Sequence, residues 1–199
     1  MGKYHPNVEP YVVSRARALE SLLLEKGILA VDTVDKVVAR YENNTGPLTG
    51  AKVVARAWVD PEYKTLLLTD AKAALAQFDL DYDLLVVVEN TDDVHNMVVC
   101  TLCSCYPWPV MGLPPTWYKM PAYRSRAVIE PRQVLSEFDL EVEPDKEIRV
   151  WDSSAELRYM VLPQRPAGTE NMTEEELAAL VLRDALIGVA LIPEPTPVG

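Results

Sequence analysis

The stretch "LLVVVENTDDVHNMVVC", Leu84 to Cys100, is where the chain changes character. Its two β-branched runs, "LLVVVEN" over 84–90 and "NMVVC" over 96–100, read as short strands. Before it, up to Phe78, the apolar residues recur at helical spacing. In "SRARALESLLLEKGIL", Ala18, Leu19, Leu22 and Leu23 form one stripe and Gly27 supplies a stop. A second short helix is expected over "DTVDKVVARYENNTGP", capped by Asp32 or Thr33 and ended by Gly46-Pro47. "GAKVVARAW" continues helical to Trp58. Asp60-Pro61-Glu62 then offers a cap, a first-turn proline and an acid at the positive end of the helix dipole. That helix is expected to run to Phe78. Residues 1–13 carry two prolines and little period, and read as a loose arm.

Downstream of Cys100, "KEIRVWD" and "LRYMVLP" are two further strands separated by the turn "SSAE". "TEEELAALVLRDALIG" reads as one helix with a capping box, Thr173 with Glu176, closed at Gly188. The tail "PEPTPVG" is expected to fray. Helices first and a mixed, strand-rich region second give the class α+β. The expected architecture is an N-terminal helical arm (1–78) followed by a mixed α/β layered domain (79–199) that carries a cysteine loop at 100–105.

Composition narrows the partners. A chain of 199 residues buries roughly 70% of its unfolded surface, so it needs no disulfide or metal to fold. The formal net charge of −11 argues against nucleic acid and anionic membrane, which both select basic faces. No apolar run approaches the ~20 residues of a membrane span, and "MGKYHPNVEPYVV" does not read as a signal peptide. The expected location is cytoplasmic, where clustered thiols read as a metal or redox site before they read as disulfides.

All three cysteines lie in Cys100-Thr101-Leu102-Cys103-Ser104-Cys105. Zinc sites usually draw cysteine pairs from two separated segments, and no second pair exists. His95 reads as a hydrogen-bonded strand histidine rather than a ligand. Three alternatives stand on spacing alone. A thioredoxin-like dithiol would use Cys100 and Cys103 and leave a cysteine over. Inert burial is the bland reading, since free cysteines are often small buried hydrophobes. A metal claw uses all three sulfurs, together with the inward amides of Ser104 and Cys105. Such a square pyramid leaves one position open, and its anionic donors favour a trivalent, redox-quiet metal acting as a Lewis acid.

"VCTLCSCYPWPVMGLPPTWYK" resembles the metal-binding segment of nitrile hydratase α subunits. "YENNTGPLTGAKVVARAWVDPEYK", "VENTDDVHNMVVC", "YRSRAVIEPRQVLSEF", "KEIRVWDSSAELRYMVLPQRPAGT" and "RDALIGV" resemble the same family in order, covering about Arg15 to Val189. The resemblance implies one non-corrin Co(III) per chain, with Fe(III) the alternative; Thr101 matches the cobalt branch. It implies Cys100 as axial thiolate, Cys103 as sulfinate, Cys105 as sulfenate, and the Ser104 and Cys105 amides as ligands. The reaction implied is hydration of a nitrile to its amide. Either the Cys105 sulfenate oxygen attacks a metal-bound nitrile, or a metal-activated water does so. The partners implied are a β subunit that supplies arginines to the claw, and an activator protein that inserts the cobalt.

That cationic partner suits a loop with no charge between Cys100 and Tyr118, unless Lys119, Arg124 or Arg126 folds back. Trp108 and Trp117 either line an apolar pocket for the nitrile or serve as packing. Thiocyanate hydrolases carry a similar claw with arginine at the position of Trp108, so tryptophan favours a neutral substrate. Ser104 is also a candidate hydroxyl donor near the metal. Thr101, Asp152 and Arg158 are candidates for groups just behind the ligands; the bland reading is a filler residue and surface ion pairs. One stretch departs from the family: Asp81-Tyr82-Asp83 stands where relatives carry a glutamine-containing segment. Two other readings stay open, a thiocyanate hydrolase subunit and a non-catalytic metal or redox sensor.

Overall fold

The computed structural model describes residues 10–36 and 47–195. Helix α1 (Pro10–Glu25) begins inside the segment expected as a loose arm, and residues 1–9 lie outside the described residues. Gly27, at φ +64°, stops the helix: its amide donates to Leu24 O and the Ile28 amide to Leu23 O. Leu19 and Leu22 remain exposed, so α1 stands off the core as an arm. The expected second helix begins at 33–36, and the rest of it lies outside the described residues.

Helix α2 (Pro47–Val59) buries Ala51, Val53, Val54 and Ala57. Helix α3 (Pro61–Thr69) opens as the sequence dictates, the Asp60 carboxylate accepting from the Glu62 and Tyr63 amides at 3.0 Å each. The single helix expected through Phe78 is two. Asp70 ends α3 and caps α4 (Ala71–Ala76), its side chain accepting from the Ala73 amide at 3.0 Å. An aspartate that bonds the nearby backbone offers the chain an alternative to continued helix. Apolar period alone does not register that competition.

Four strands follow the expected segments, β1 (Leu85–Glu89), β2 (Val94–Val99), β3 (Glu147–Asp152) and β4 (Arg158–Leu162). They form two parallel pairs, β1 with β4 and β2 with β3, so strands adjacent in sequence sit in different sheets. Side-chain amides support the split. Asn90 Oδ1 accepts from the Asn96 amide at 2.7 Å, Asn96 Nδ2 donates to Glu89 O at 2.6 Å, and Trp151 Nε1 donates to Asn96 Oδ1 at 2.8 Å. Both asparagines are buried, so these bonds replace water that is no longer present.

Helices α5 (Trp108–Met111), α6 (Pro121–Ile129) and α7 (Pro131–Glu137) and a 3₁₀ turn (Thr116–Lys119) follow the cysteine loop. The helix expected over 173–188 is again two, α8 (Glu174–Leu180) and α9 (Arg183–Ile187). Extended backbone at Val181 and Leu182 re-aims the chain, so that Leu177 and Val181 on one side and Ala185, Leu186 and Ile187 on the other all reach the core. The capping box of Thr173 with Glu176 forms as expected.

Gly188 closes α9 at φ +88°, where a Cβ would lie 2.0 Å from Asn96 O. Only glycine fits there. Its carbonyl meets His95 Nε2 at 2.8 Å, so His95 is the buried, hydrogen-bonded strand histidine the sequence suggested. One main core joins side chains from both sides of residue 78, from Ala51 to Ile192. Each large apolar side chain in it contributes about 1.5–3 kcal/mol by leaving water. The outcome is the expected α+β class, with β2 and β3 held rigidly at the base of the cysteine loop.

Candidate metal centre

Cys100 is the first residue after β2, and Val99 before it lies in register with Asp152, the last residue of β3. Two parallel strand ends therefore deliver a thiol and a carboxylate to one point. Cys100 is buried, Cys105 half-buried and Cys103 exposed, and all three are free. Their Sγ atoms lie within 4.8 Å of one another: Cys100 to Cys103 spans 3.7 Å and Cys103 to Cys105 2.9 Å. Ser104 sits at φ +69°, a left-handed conformation costing a non-glycine residue about 1–2 kcal/mol. That single residue reverses the chain and returns Cys105 to the other sulfurs.

The loop is fixed from behind by three elements. Asp152 accepts from the Thr101 amide at 2.9 Å and from its hydroxyl at 2.5 Å. Arg124 on α6 donates Nε to Cys100 O at 2.9 Å and Nη2 to Thr101 O at 2.6 Å. Tyr118, fully buried in the 3₁₀ turn, donates to Cys105 O at 3.0 Å. With carbonyls held outward, the Cys103 amide turns inward and donates to Cys100 Sγ at 3.2 Å.

Electrostatics follow from this geometry. Burial raises the Cys100 thiol, but the amides of Cys103 and Cys105, the Cys103 thiol and the Leu102 amide together bring it below its ordinary value. Burial also pushes Cys105 up to about 12, reinforced by the Cys103 thiol and the Cys100 charge and opposed by Arg158. Three sulfurs this close cannot all be thiolates without a cation among them. The set therefore fits a metal ion: soft donors converging from one turn, with like-charge repulsion that only a cation relieves.

The other sequence candidates separate. Arg158 turns its guanidinium to Ser154 O at 2.8 Å and Ala155 O at 2.6 Å, closing the turn after β3, while its charge still acts on Cys105. The two tryptophans differ in their surroundings. Trp117 is buried edge-on between Tyr123 and Phe138, with ring centroids at 4.8 and 4.7 Å. Trp108 is 39% exposed, with Lys119 Nζ 5.6 Å from its ring centre. Among the cations weighed, Arg124 folds back, though onto carbonyls rather than sulfur, and Arg126 pairs with Glu130 and Glu137.

Two tyrosines near the sulfurs are given no role by the sequence reading. Tyr118 ends the loop as one aromatic among several, and only its burial beside Cys105 marks it. Tyr82, in the departing Asp81-Tyr82-Asp83 stretch, is raised chiefly by burial, lowered by Arg158 and raised by Cys105, so it lies within electrostatic reach of both.

The family model described as nitrile hydratase, alpha chain, matches residues 11–190. The low-molecular weight cobalt-containing nitrile hydratase subunit alpha of Rhodococcus rhodochrous is 59% identical over 194 residues, covering 96% of this chain and 94% of that protein. The thiocyanate hydrolase subunit gamma of Thiobacillus thioparus is more distant, at 44% identity over 89% of this chain and 78% of that protein. A double mutant of the Fe-type nitrile hydratase from Comamonas testosteroni Ni1 superposes with a TM-score of 0.86 at 38% identity, covering 96% of this chain and 97% of that one. A three-sulfur claw at the end of a parallel strand pair, and a match along nearly all of its length, make this chain a member of the nitrile hydratase alpha chain family.

Proposed function

We propose that this chain is the metal-binding alpha subunit of a cobalt nitrile hydratase, hydrating nitriles to amides. The observation that carries the reading is the convergence of Cys100, Cys103 and Cys105 within 4.8 Å at the C-terminal end of β2. In this reading the three sulfurs and the Ser104 and Cys105 amides hold one Co(III); Thr101 and the cobalt-containing relatives favour cobalt over iron. The bound ion supplies Lewis acidity toward the nitrile.

The chain's own residues do the rest. Cys103 and Cys105, the two less buried sulfurs, become sulfinate and sulfenate by reaction with an oxygen donor of the dioxygen or peroxide class. Either the Cys105 sulfenate oxygen, restored afterwards from water, or a water activated at the site would attack the nitrile carbon, and the Ser104 hydroxyl is a candidate donor there. Asp152 and Arg158 steady the turn, and Trp108 flanks the approach. The division at residue 78 is one of roles: an arm with helices before it and the claw-bearing part after it.

The claw is open on this chain alone, Leu102 being 83% exposed at its tip. An uncharged, exposed loop of anionic sulfur suits burial under a cationic β subunit, in a heterodimer or heterotetramer. An activator protein for cobalt and a cytoplasmic setting complete the reading. Among the described residues no helix is long and apolar enough to cross a membrane.

The test is substrate competition. The purified complex is offered acetonitrile, acrylonitrile and thiocyanate; the reading expects the nitriles to be consumed and thiocyanate to remain. Consumption of thiocyanate alone would transfer the chain to the thiocyanate hydrolase branch. A cobalt-loaded complex that consumes none would leave a metal or redox sensor.

A further inference from the structure

We infer that Arg124 is a positioning residue for the claw, acting as a two-carbonyl clamp that fixes the two peptide planes leading out of Cys100, at the start of the turn in which the Cys103 N–H reaches the Cys100 sulfur. The inference rests on the metal-binding reading above and concerns a residue that is not itself a ligand.

The geometry is a matter of peptide planes. No cis peptide occurs among the described residues, so the C=O and N–H of each unit point in opposite directions. In the unit joining Cys100 to Thr101, Arg124 Nε holds the carbonyl at 2.9 Å while Asp152 takes the Thr101 N–H on the opposite side at 2.9 Å. In the next unit Arg124 Nη2 holds Thr101 O at 2.6 Å, which directs the Leu102 N–H away from the guanidinium. One guanidinium thus fixes two successive planes. The Cys103 amide, 3.2 Å from Cys100 Sγ, follows in the turn so defined.

A planar fork is needed for this. Arginine presents parallel donors in a rigid plane, while a lysine ammonium is a single point that cannot hold two carbonyls in fixed relative orientation. Arg124 is well placed to do so. It stands on α6, which is fastened to the same scaffold by Tyr123, whose buried hydroxyl donates to Val98 O at 2.7 Å. Arg124 and the strand that leads into Cys100 are therefore tied to the same helix. N–H groups directed at a thiolate withdraw electron density from it, so the clamp bears on the strength of the sulfur–metal bond as well as on its geometry.

Separating the clamp from simple charge requires two substitutions in the assembled cobalt complex. Arg124→Ala removes the fork; Arg124→Lys keeps the charge and most of the stem. Both are assayed for cobalt per chain, for the sulfur-to-metal charge-transfer absorption, and for assembly by circular dichroism and size. The expected result is a loss of about 10- to 100-fold in metal affinity or turnover, the range for groups that orient ligands. The absorption band should shift with it, and Arg124→Lys should behave like Arg124→Ala. Added guanidinium ion should restore both band and turnover to Arg124→Ala and leave the wild type unchanged.

Wild-type cobalt content, band and turnover in Arg124→Ala would overturn the clamp, as would full recovery in Arg124→Lys, which would make charge the only requirement. If Arg124→Ala does not assemble, the Arg124→Lys band decides alone. A wild-type complex without cobalt would defeat the underlying metal reading instead, and that outcome is distinct from failure of the clamp.

Discussion

Strand β1 leaves its pair at Glu89, in register with Leu162, and strand β2 leaves its pair at Val99, in register with Asp152. The first exit is absorbed by structure. Asn90 donates to Leu162 O at 3.0 Å and accepts from Asn96, Glu89 pairs with Lys64, and Trp58 Nε1 donates to Pro163 O at 2.8 Å. The second exit leads into three sulfurs, and the groups around it hold the backbone while leaving the sulfurs open. Both pairs are short and parallel, so their pairing does not separate them. The difference lies in what the strand ends carry. A chemical site arises where a rigid end delivers reactive groups that the fold does not consume.

That contrast can be broken most severely at the sulfurs. Cys100→Ala should abolish cobalt binding and cut turnover by more than the roughly 100-fold ceiling for groups behind the ligands. The strand pairs should stay intact, as read by metal analysis, initial rates and circular dichroism. Gly188→Ala attacks the scaffold instead. A Cβ 2.0 Å from Asn96 O, at φ +88°, should destabilise the fold by about 3 kcal/mol or more, seen as a lower midpoint in urea.

Between these stands Asp152→Ala, which frees the Thr101 amide and hydroxyl together. It should cost about 10- to 100-fold in metal affinity or activity with a small change in melting temperature, which places Asp152 with the claw rather than with the core.

The smallest effect is acid sensitivity at His95. Burial and, secondarily, Lys146 hold its imidazole below the ordinary value of 6.5, against the raising influence of the Gly188 carbonyl and Glu143. The unfolded chain then binds the proton more readily, so the histidine's contribution is present above pH 6.5 and lost as pH falls through its folded value. Unfolding curves taken across that range should lose stability toward acid, and His95→Gln should flatten the loss.

The claw was legible because its chemistry is packed into six residues, and no fold is needed to see three thiols in one turn. The helix openings at Asp60 and Thr173 were legible for the same reason, each being a local bond between near neighbours. The breaks at Asp70 and at Val181-Leu182 were not, since the apolar stripe continues through both. Strand pairing was also hidden. The turn "SSAE" marks where β3 ends but says nothing of partners that lie some fifty to seventy residues away in sequence, roughly the span of a crossover rather than a hairpin. Arg124 was named as a cation, yet its two carbonyl partners 24 and 23 residues upstream could be assigned only once α6 was placed.

The central claim is that one turn wraps a trivalent ion with sulfur oxidised unevenly around it. Metal analysis and intact mass of the same active, purified complex test it most directly. The account predicts one cobalt per chain and three added oxygen atoms on the peptide bearing Cys103 and Cys105, with Cys100 unmodified. Full activity with zinc bound and all three thiols unoxidised would contradict it.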